Sequence, residues 1–342
     1  MIHPRDVLQG AAVVAPLPVC DHYCGVHARM VKSLALQAEL AQEFGACVFD
    51  VTLDCEDGAP VGGEKDHALM VVELARHAHA SATSARVAAR VHPVDHPMFE
   101  QDVEIIVAGA GASLCHLMLP KVESLADVDR AVQSIDAAAR SSGRTDPLPL
   151  HVLIESPLAV QRVAQIAAHA RVQSVSFGLM DFVSAHEGAI AASAMGVGHT
   201  GGPDDFDQFS HPLVLRAKLE IAAACHAAAK VPSHCVVTEF KDMRVVEAAA
   251  RQASRALGYT RMWSIHPDQI RPILAAFAPD AREVELASQI LCAASAHNWA
   301  PISVAGKLHD RASYRYYWQV LQRAHQTSGL SSDDPAQIFF TV

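Results

Sequence analysis

Glu155 and Asp181 are the two residues whose type and spacing most directly suggest chemistry. Each closes a short apolar run, His151-Val-Leu-Ile-Glu155 and Ser174-Val-Ser-Phe-Gly-Leu-Met-Asp181, of the kind that is buried as a parallel strand. A helical stretch over 158–170 separates them. One βαβ step would therefore place both carboxylates on adjacent strands, at the C-terminal edge where α/β proteins build their sites. Two carboxylates forced together repel, and a hard divalent cation relieves the repulsion. Mg²⁺ suits such a pair because it takes oxygen ligands and keeps waters beside one or two carboxylates. The other reading of the same spacing is a pair of helix N-caps or turn residues.

Elements that could position this pair follow a regular pattern. Eight strand-like runs fall at 11–19, 46–53, 86–91, 114–119, 150–154, 172–177, 235–238 and 261–265. Alanine-rich amphipathic segments at 26–44, 64–80, 97–110, 124–140, 158–170, 212–230 and 241–257 lie between them. Strand alternating with helix implies a parallel sheet. Eight repeats without a break in composition favour a closed (β/α)₈ TIM barrel over a doubly wound sheet. After Pro267 only helices are expected, so the reading is a catalytic barrel over 1–278 and a C-terminal helical extension over 279–342. The long Gly-, Asp- and Ser-rich connection 186–211 reads as a lid.

A barrel predicts that functional polar groups gather just after strand ends. Glu56 and Asp57 follow the second run, Arg90 ends the third, Lys121 and Glu123 follow the fourth, and Glu239 and His266 follow the last two. An acidic cluster, a metal pair and a few cations around one rim describe a site for an anionic, oxygen-rich substrate. Glu123 and Glu239 read as bottom-layer or capping ions. Lys121 is divided between anion binding and an ion pair with the acidic cluster, and His266 between substrate contact and closing the barrel.

Composition excludes several classes. Apolar residues make up 51% and charged residues 19% of 342, which suits a buried core. The net charge of −10 argues against a nucleic-acid partner. No apolar run reaches the ~20 residues of a membrane span. The eight cysteines contain no C-x-x-C pair. They read as buried small hydrophobes in a reducing compartment, hence a cytoplasmic protein.

Several of these stretches resemble the citrate lyase β-subunit and malyl-CoA lyase group of the HpcH/HpaI aldolase superfamily. Leu53-Asp54-Cys55-Glu56-Asp57-Gly58 with Lys65 beyond is similar to its acidic signature. Arg90-Val-His-Pro, Leu119-Pro-Lys121-Val-Glu-Ser, Ile154-Glu155-Ser, Phe177-Gly-x-x-Asp181, Ser264-Ile-His266-Pro and Gly306-Lys307-Leu-His-Asp310 follow in the same order. The resemblance implies a TIM barrel with Mg²⁺ held by Glu155 and Asp181. It also implies Arg90 on the substrate, Glu56 and Asp57 holding metal-bound water and orienting Arg90, and Asp310 in acid/base chemistry from a neighbouring subunit. Trimers or hexamers are expected. The expected reaction is carbon–carbon cleavage of a hydroxyacyl-CoA such as citryl-, malyl- or citramalyl-CoA. The alternatives are a metal-dependent aldolase acting on a free 4-hydroxy-2-oxo acid, and a low-activity barrel that needs a partner complex. The group opens its first strand with Arg-Ser, whereas the stretch 13–20 contains no arginine.

Overall fold

The computed structural model describes residues 2–8, 17–82, 84–198, 205–327, 330–331 and 333–340. Two compact units are present, one of Pro18–Ala276 and one of Met1–Leu17 with Phe277–Val342.

The larger unit is a closed barrel of eight parallel strands in sequential order. They are β1 Cys20–Cys24, β2 Phe49–Asp54, β3 Val87–Arg90, β4 Leu114–Leu119, β5 Leu150–Ile154, β6 Val172–Phe177, β7 Val231–His234 and β8 Arg261–Ser264. Every residue of β2, β3, β5 and β8 is buried, as strands covered on both faces must be. The helices begin where polar caps permit. Ser124 Oγ accepts from the Asp127 amide ahead of Leu125–Ala139, and Ser156 Oγ accepts from the Ala159 amide ahead of Pro157–Ala168.

Three elements of the larger unit differ from the sequence reading. The expected first strand at 11–19 lies mostly outside the described residues, and β1 begins at Cys20. The seventh strand is Val231–His234 rather than 235–238, because β7 must lie level with β6, and the register pairs Ser174–Ser176 with Val231–Ser233. The apolar run from Cys235 continues past the ladder onto the rim. Asp181 does not end a strand: β6 stops at Phe177, and Asp181 lies in the first turn of a short helix, Leu179–Ser184.

The connection after this helix is only partly described, with 199–204 outside the described residues. Asp207 Oδ2 accepts from the Gly198 amide at 2.9 Å, and Gln208 N donates to the Gly196 carbonyl at 3.0 Å, so the two ends of the connection are tied together.

In the smaller unit the helices Ala281–Ala296 and Arg311–Thr327 bury a core that includes Trp299, Tyr314, Trp318 and Phe339. Trp299 Nε1 donates to the Ile2 carbonyl at 3.1 Å, and a His3 ring nitrogen lies 2.9 Å from the Phe339 carbonyl, so the N-terminal residues belong to this core. The tail is not helical throughout. Antiparallel β9 Ile302–Val304 and β10 Lys307–His309 are joined by Ala305 and Gly306, with φ of 49° and 75°. Two successive positive φ values are the signature of a tight primed hairpin turn, which a glycine at the second position makes possible.

Candidate active site

Register carries the functional side chains to one end of the barrel. Asp54 is paired with Arg90 across β2 and β3, and Ile154 with Phe177 across β5 and β6. Glu155 follows directly after Ile154, and Asp181 is four residues beyond Phe177.

Arg90 is the best-anchored group. Its Nε and Nη2 each donate to the Asp54 carboxylate at 2.6 Å, and Nη1 lies 3.0 Å from Glu56 Oε2. Its guanidinium carbon lies 5.1 Å from the Tyr23 ring centre and 5.9 Å from that of Trp263. Burial opposes the Arg90 charge, but Asp54 and Glu56 more than offset it and hold its pKa above the ordinary arginine value. Asp54 also accepts from the amides of Glu56 and Gly58, so one carboxylate shapes the acidic loop and fixes the arginine. A Cβ at Gly58 would lie 2.2 Å from Asp54 Oδ2, so only glycine admits this closeness.

Lys121 links the other carboxylates. Its Nζ donates to Glu56 Oε1 at 2.6 Å and to Asp57 Oδ2 at 3.0 Å, and lies 3.9 Å from Asp181 Oδ1. Its backbone is in the left-handed region, φ 52°, which is unfavourable for a lysine. That conformation lets its amide donate to Glu155 Oε2 at 2.5 Å. Glu155 is 5% exposed, and burial together with Asp181 raises its pKa to about 8. Gly178 leaves the space it occupies, since a Cβ there would lie 2.3 Å from Glu155 Oε1.

Among the described residues the rim therefore gathers five carboxylates, Asp54, Glu56, Asp57, Glu155 and Asp181, around two cations, Arg90 and Lys121. The deficit of positive charge falls at Glu155 and Asp181, the pair least served by either cation. A hard divalent cation with oxygen ligands fits this donor set and would remove the repulsion that raises Glu155.

Two residues expected at the site have local partners of their own. The His266 side chain accepts from the Asp268 amide and caps the turn Pro267–Gln269. Asp310 lies in the smaller unit, where Oδ1 accepts from the Ala312 and Ser313 amides at 2.9 and 3.3 Å at the start of the last long helix. Glu239 accepts from the Lys241 and Asp242 amides, as a capping ion would. Tyr23 and Trp263 were not singled out in the sequence. Asp54 and Gly178 stand in the motifs quoted there without a role of their own, since the Asp54–Arg90 pairing is set by strand register.

A second cluster of potential ligands lies lower in the barrel. Asp21, His116 and His151 bring ligand-type atoms within 4.8 Å of one another, as do Asp50, Cys115 and His116.

The family model described as HpcH/HpaI aldolase/citrate lyase matches residues 30–267. The L-malyl-CoA/beta-methylmalyl-CoA lyase of Cereibacter sphaeroides is 31% identical over 248 residues, which is 70% of this chain and 76% of the relative. A citrate lyase from Burkholderia xenovorans LB400 is similar in structure, with 46% identity, 99% coverage of both chains and a TM-score of 0.79. The citrate lyase beta subunit of Mycobacterium tuberculosis, solved with oxaloacetate and magnesium, shares the fold at 21% identity. It covers 77% of this chain and 98% of its own, with a TM-score of 0.57. With the matched segment spanning the barrel from its first long helix to the end of its eighth strand, the chain belongs to the HpcH/HpaI aldolase/citrate lyase family.

Proposed function

We propose that this protein is a Mg²⁺-dependent carbon–carbon lyase that cleaves a hydroxyacyl-CoA of the malyl, citramalyl or citryl class. The observation that carries this reading is a clamped guanidinium, Arg90, at the same barrel end as a carboxylate pair, Glu155 and Asp181, that lacks its share of positive charge. Cleavage requires loss of the hydroxyl proton as the carbon–carbon bond breaks, with the electron pair received by the thioester carbonyl as an enolate.

Arg90 offers fixed charge where that oxygen becomes negative, and its clamp avoids reorganisation at the moment of reaction. Glu155 and Asp181 would hold the metal, which when bound supplies Lewis-acid stabilisation and a template for substrate oxygens. Glu56 and Asp57 would orient metal-bound water, with Lys121 fixing both carboxylates and countering the substrate's negative charge. His266 would reach the substrate through Nε2, its Nδ1 being occupied by the turn that it caps. Asp310 of a neighbouring copy would exchange the proton at carbon, which makes the working form a homo-oligomer, a trimer or hexamer. No helix among the described residues is long and apolar enough to cross a membrane, consistent with a cytoplasmic enzyme.

The deciding experiment is a thermal-shift and turnover series with Mg²⁺, malyl-CoA, citramalyl-CoA, citryl-CoA and the free acids pyruvate, oxaloacetate and glyoxylate. A ligand that binds only the native state raises the midpoint by mass action. A Mg²⁺-dependent shift and cleavage with CoA thioesters, lost in Glu155→Ala and Asp181→Ala, is the expected result. Turnover of free 4-hydroxy-2-oxo acids alone would replace this reading with the aldolase.

A further inference from the structure

The proposed chemistry leaves unused a buried polar layer inside the barrel, beneath Arg90. Arg261 Nη2 lies 2.6 Å from Asp50 Oδ2 and 3.0 Å from Asp21 Oδ2, and Arg86 Nε donates to Asp50 Oδ1 at 2.5 Å. Thr52 donates to Asp21 Oδ1 at 2.8 Å, and the His151 ring lies between the Ser174 and Ser176 hydroxyls, each 2.8 Å away. An ordinary barrel fills this region with branched aliphatic side chains.

Even so, the layer is incompletely paired. His116 Nε2, Ser233 Oγ, Arg261 Nε, Arg261 Nη1 and Trp263 Nε1 are buried without a hydrogen-bond partner, and Asp21 Oδ2 has only its contact with Arg261 Nη2. These atoms belong to β1, β4, β7 and β8. The register places Asp21 beside Trp263, and Ser233 beside both Ser176 and Arg261. One orphaned group in a protein is tolerable, although each carries its full desolvation penalty. Five such atoms on neighbouring strands indicate a shared partner that the side chains do not supply.

We infer that the lower barrel interior is a hydration site, in which a small group of internal waters bridges Asp21, His116, Ser233 and Arg261 beneath the active-site floor. The spacing suits water: Asp21 Oδ2, which keeps a second lone pair beside its Arg261 contact, lies 3.8 Å from His116 Nε2. One molecule could therefore reach both at ordinary hydrogen-bond lengths. Water also matches the mixture of groups, an acceptor lone pair on Asp21, several donors and two groups able to be either, and a buried water typically makes about three such bonds.

Asp21, His116 and His151 could also be read as metal ligands, but charge decides against that. Asp21 and Asp50 already face Arg86 and Arg261, so the layer is balanced. A divalent cation would add two uncompensated charges in the fully buried interior, and a bound anion would leave its own charge uncompensated. Either is far more costly than accommodating a neutral molecule.

The test is a crystal structure of the full chain, grown with Mg²⁺, at a resolution that places ordered waters. Anomalous data and elemental analysis of the same preparation would accompany it. Water peaks within hydrogen-bond distance of Asp21 Oδ2, His116 Nε2 and the free Arg261 nitrogens are expected, with no transition metal in stoichiometric amount. An anomalous peak bonded to Asp21, His116 and His151 would overturn the inference in favour of a metal centre. Side chains that re-pair every orphan without intervening density would overturn it outright. In solution, water-oxygen-17 relaxation dispersion should detect long-lived waters whose contribution falls in His116→Phe. An unchanged contribution in a folded variant counts against the site, and the wild-type crystal decides the matter if that variant does not fold.

Discussion

Gly178→Ala isolates the role of Glu155 without touching the carboxylate itself. The backbone at Gly178 has φ −87° and ψ 83°, a negative φ that imposes no left-handed strain on an alanine. The consequence is therefore steric and local. The added Cβ would lie 2.3 Å from Glu155 Oε1, 2.4 Å from its Cγ and 2.7 Å from its Cδ, where ordinary contact begins near 3.4 Å. The carboxylate must move by about 1 Å to restore contact distance. Mg²⁺ demands near-ideal octahedral geometry at about 2.0–2.1 Å, so a ligand displaced this far is largely lost. Affinity should fall about 10–100-fold, the range found when a ligand's supporting shell is disturbed. Overpacking should cost about 1–3 kcal/mol of stability, leaving a folded protein for the measurement. Calorimetric titration with Mg²⁺ reads the effect directly, with apo melting temperature and circular dichroism as controls. Gly58→Ala provides a contrast, because its Cβ would strike Asp54 and loosen Arg90 rather than the metal pair. Wild-type Mg²⁺ affinity in a natively folded Gly178→Ala protein would refute the assignment of Glu155 as a ligand.

Three further outcomes follow from the same geometry. Asp54→Ala strips the buried Arg90 of its two-point partner and releases the amides of Glu56 and Gly58. It should cost about 3–5 kcal/mol in urea denaturation, and a loss below about 1 kcal/mol would mean that Glu56 alone suffices. Asp310→Ser keeps an N-capping oxygen at the last long helix but removes the carboxylate. The melting temperature should hold while kcat falls about 10²–10⁴-fold, and retained turnover would reduce Asp310 to a cap. For acid stability, burial lowers the pKa of His22 and of His116 from 6.5 to about 4. Between these values the unfolded chain binds more protons than the folded one, so stability rises with pH and is lost on acidification, by roughly 3 kcal/mol for each histidine by pH 4. Unfolding free energy that stays flat from pH 7 to pH 5 would show that the two rings are not buried in neutral form.

What the sequence disclosed depended on which way polar side chains faced. The strands 114–119, 150–154 and 172–177 could be read to the residue because their interiors are unbroken enough to appear as buried runs. β1, Cys-Asp-His-Tyr-Cys, and β7, Val-Pro-Ser-His, do not look like core strands, yet both lie in the barrel ladder. Their inward positions carry Asp21 and Ser233, members of the polar layer. The layer that makes this barrel unusual thus also hid two of its strands from an argument based on hydrophobic runs. At the rim, the acidic motif, Arg90, Lys121 and Glu155 could be found because each follows or ends a strand. Asp54 as the arginine's anchor could not, because that role follows from the Asp54–Arg90 register, and strand register is a tertiary property. The short helix carrying Asp181 was missed because Gly-Leu-Met continues the apolar character of β6 without a clear stop.

Charge balance, more than ligand type, distinguishes the two polar regions of the barrel. Ligand type alone would favour the lower one, where two histidines and an aspartate converge in a set familiar from transition-metal sites. Two residues along the strands reverse that conclusion. On β2, Asp50 faces Arg86 and Arg261, whereas Asp54 and the loop beyond it share Arg90 and Lys121 with Glu155 and Asp181. The lower carboxylates are fully compensated by guanidinium groups that cannot deprotonate. The upper ones outnumber their cations, and burial together with the Asp181 charge raises the pKa of Glu155 to about 8. A cation entering the barrel therefore gains little at Asp21 and much at Glu155. That difference favours the rim for the proposed metal site and neutral water for the interior.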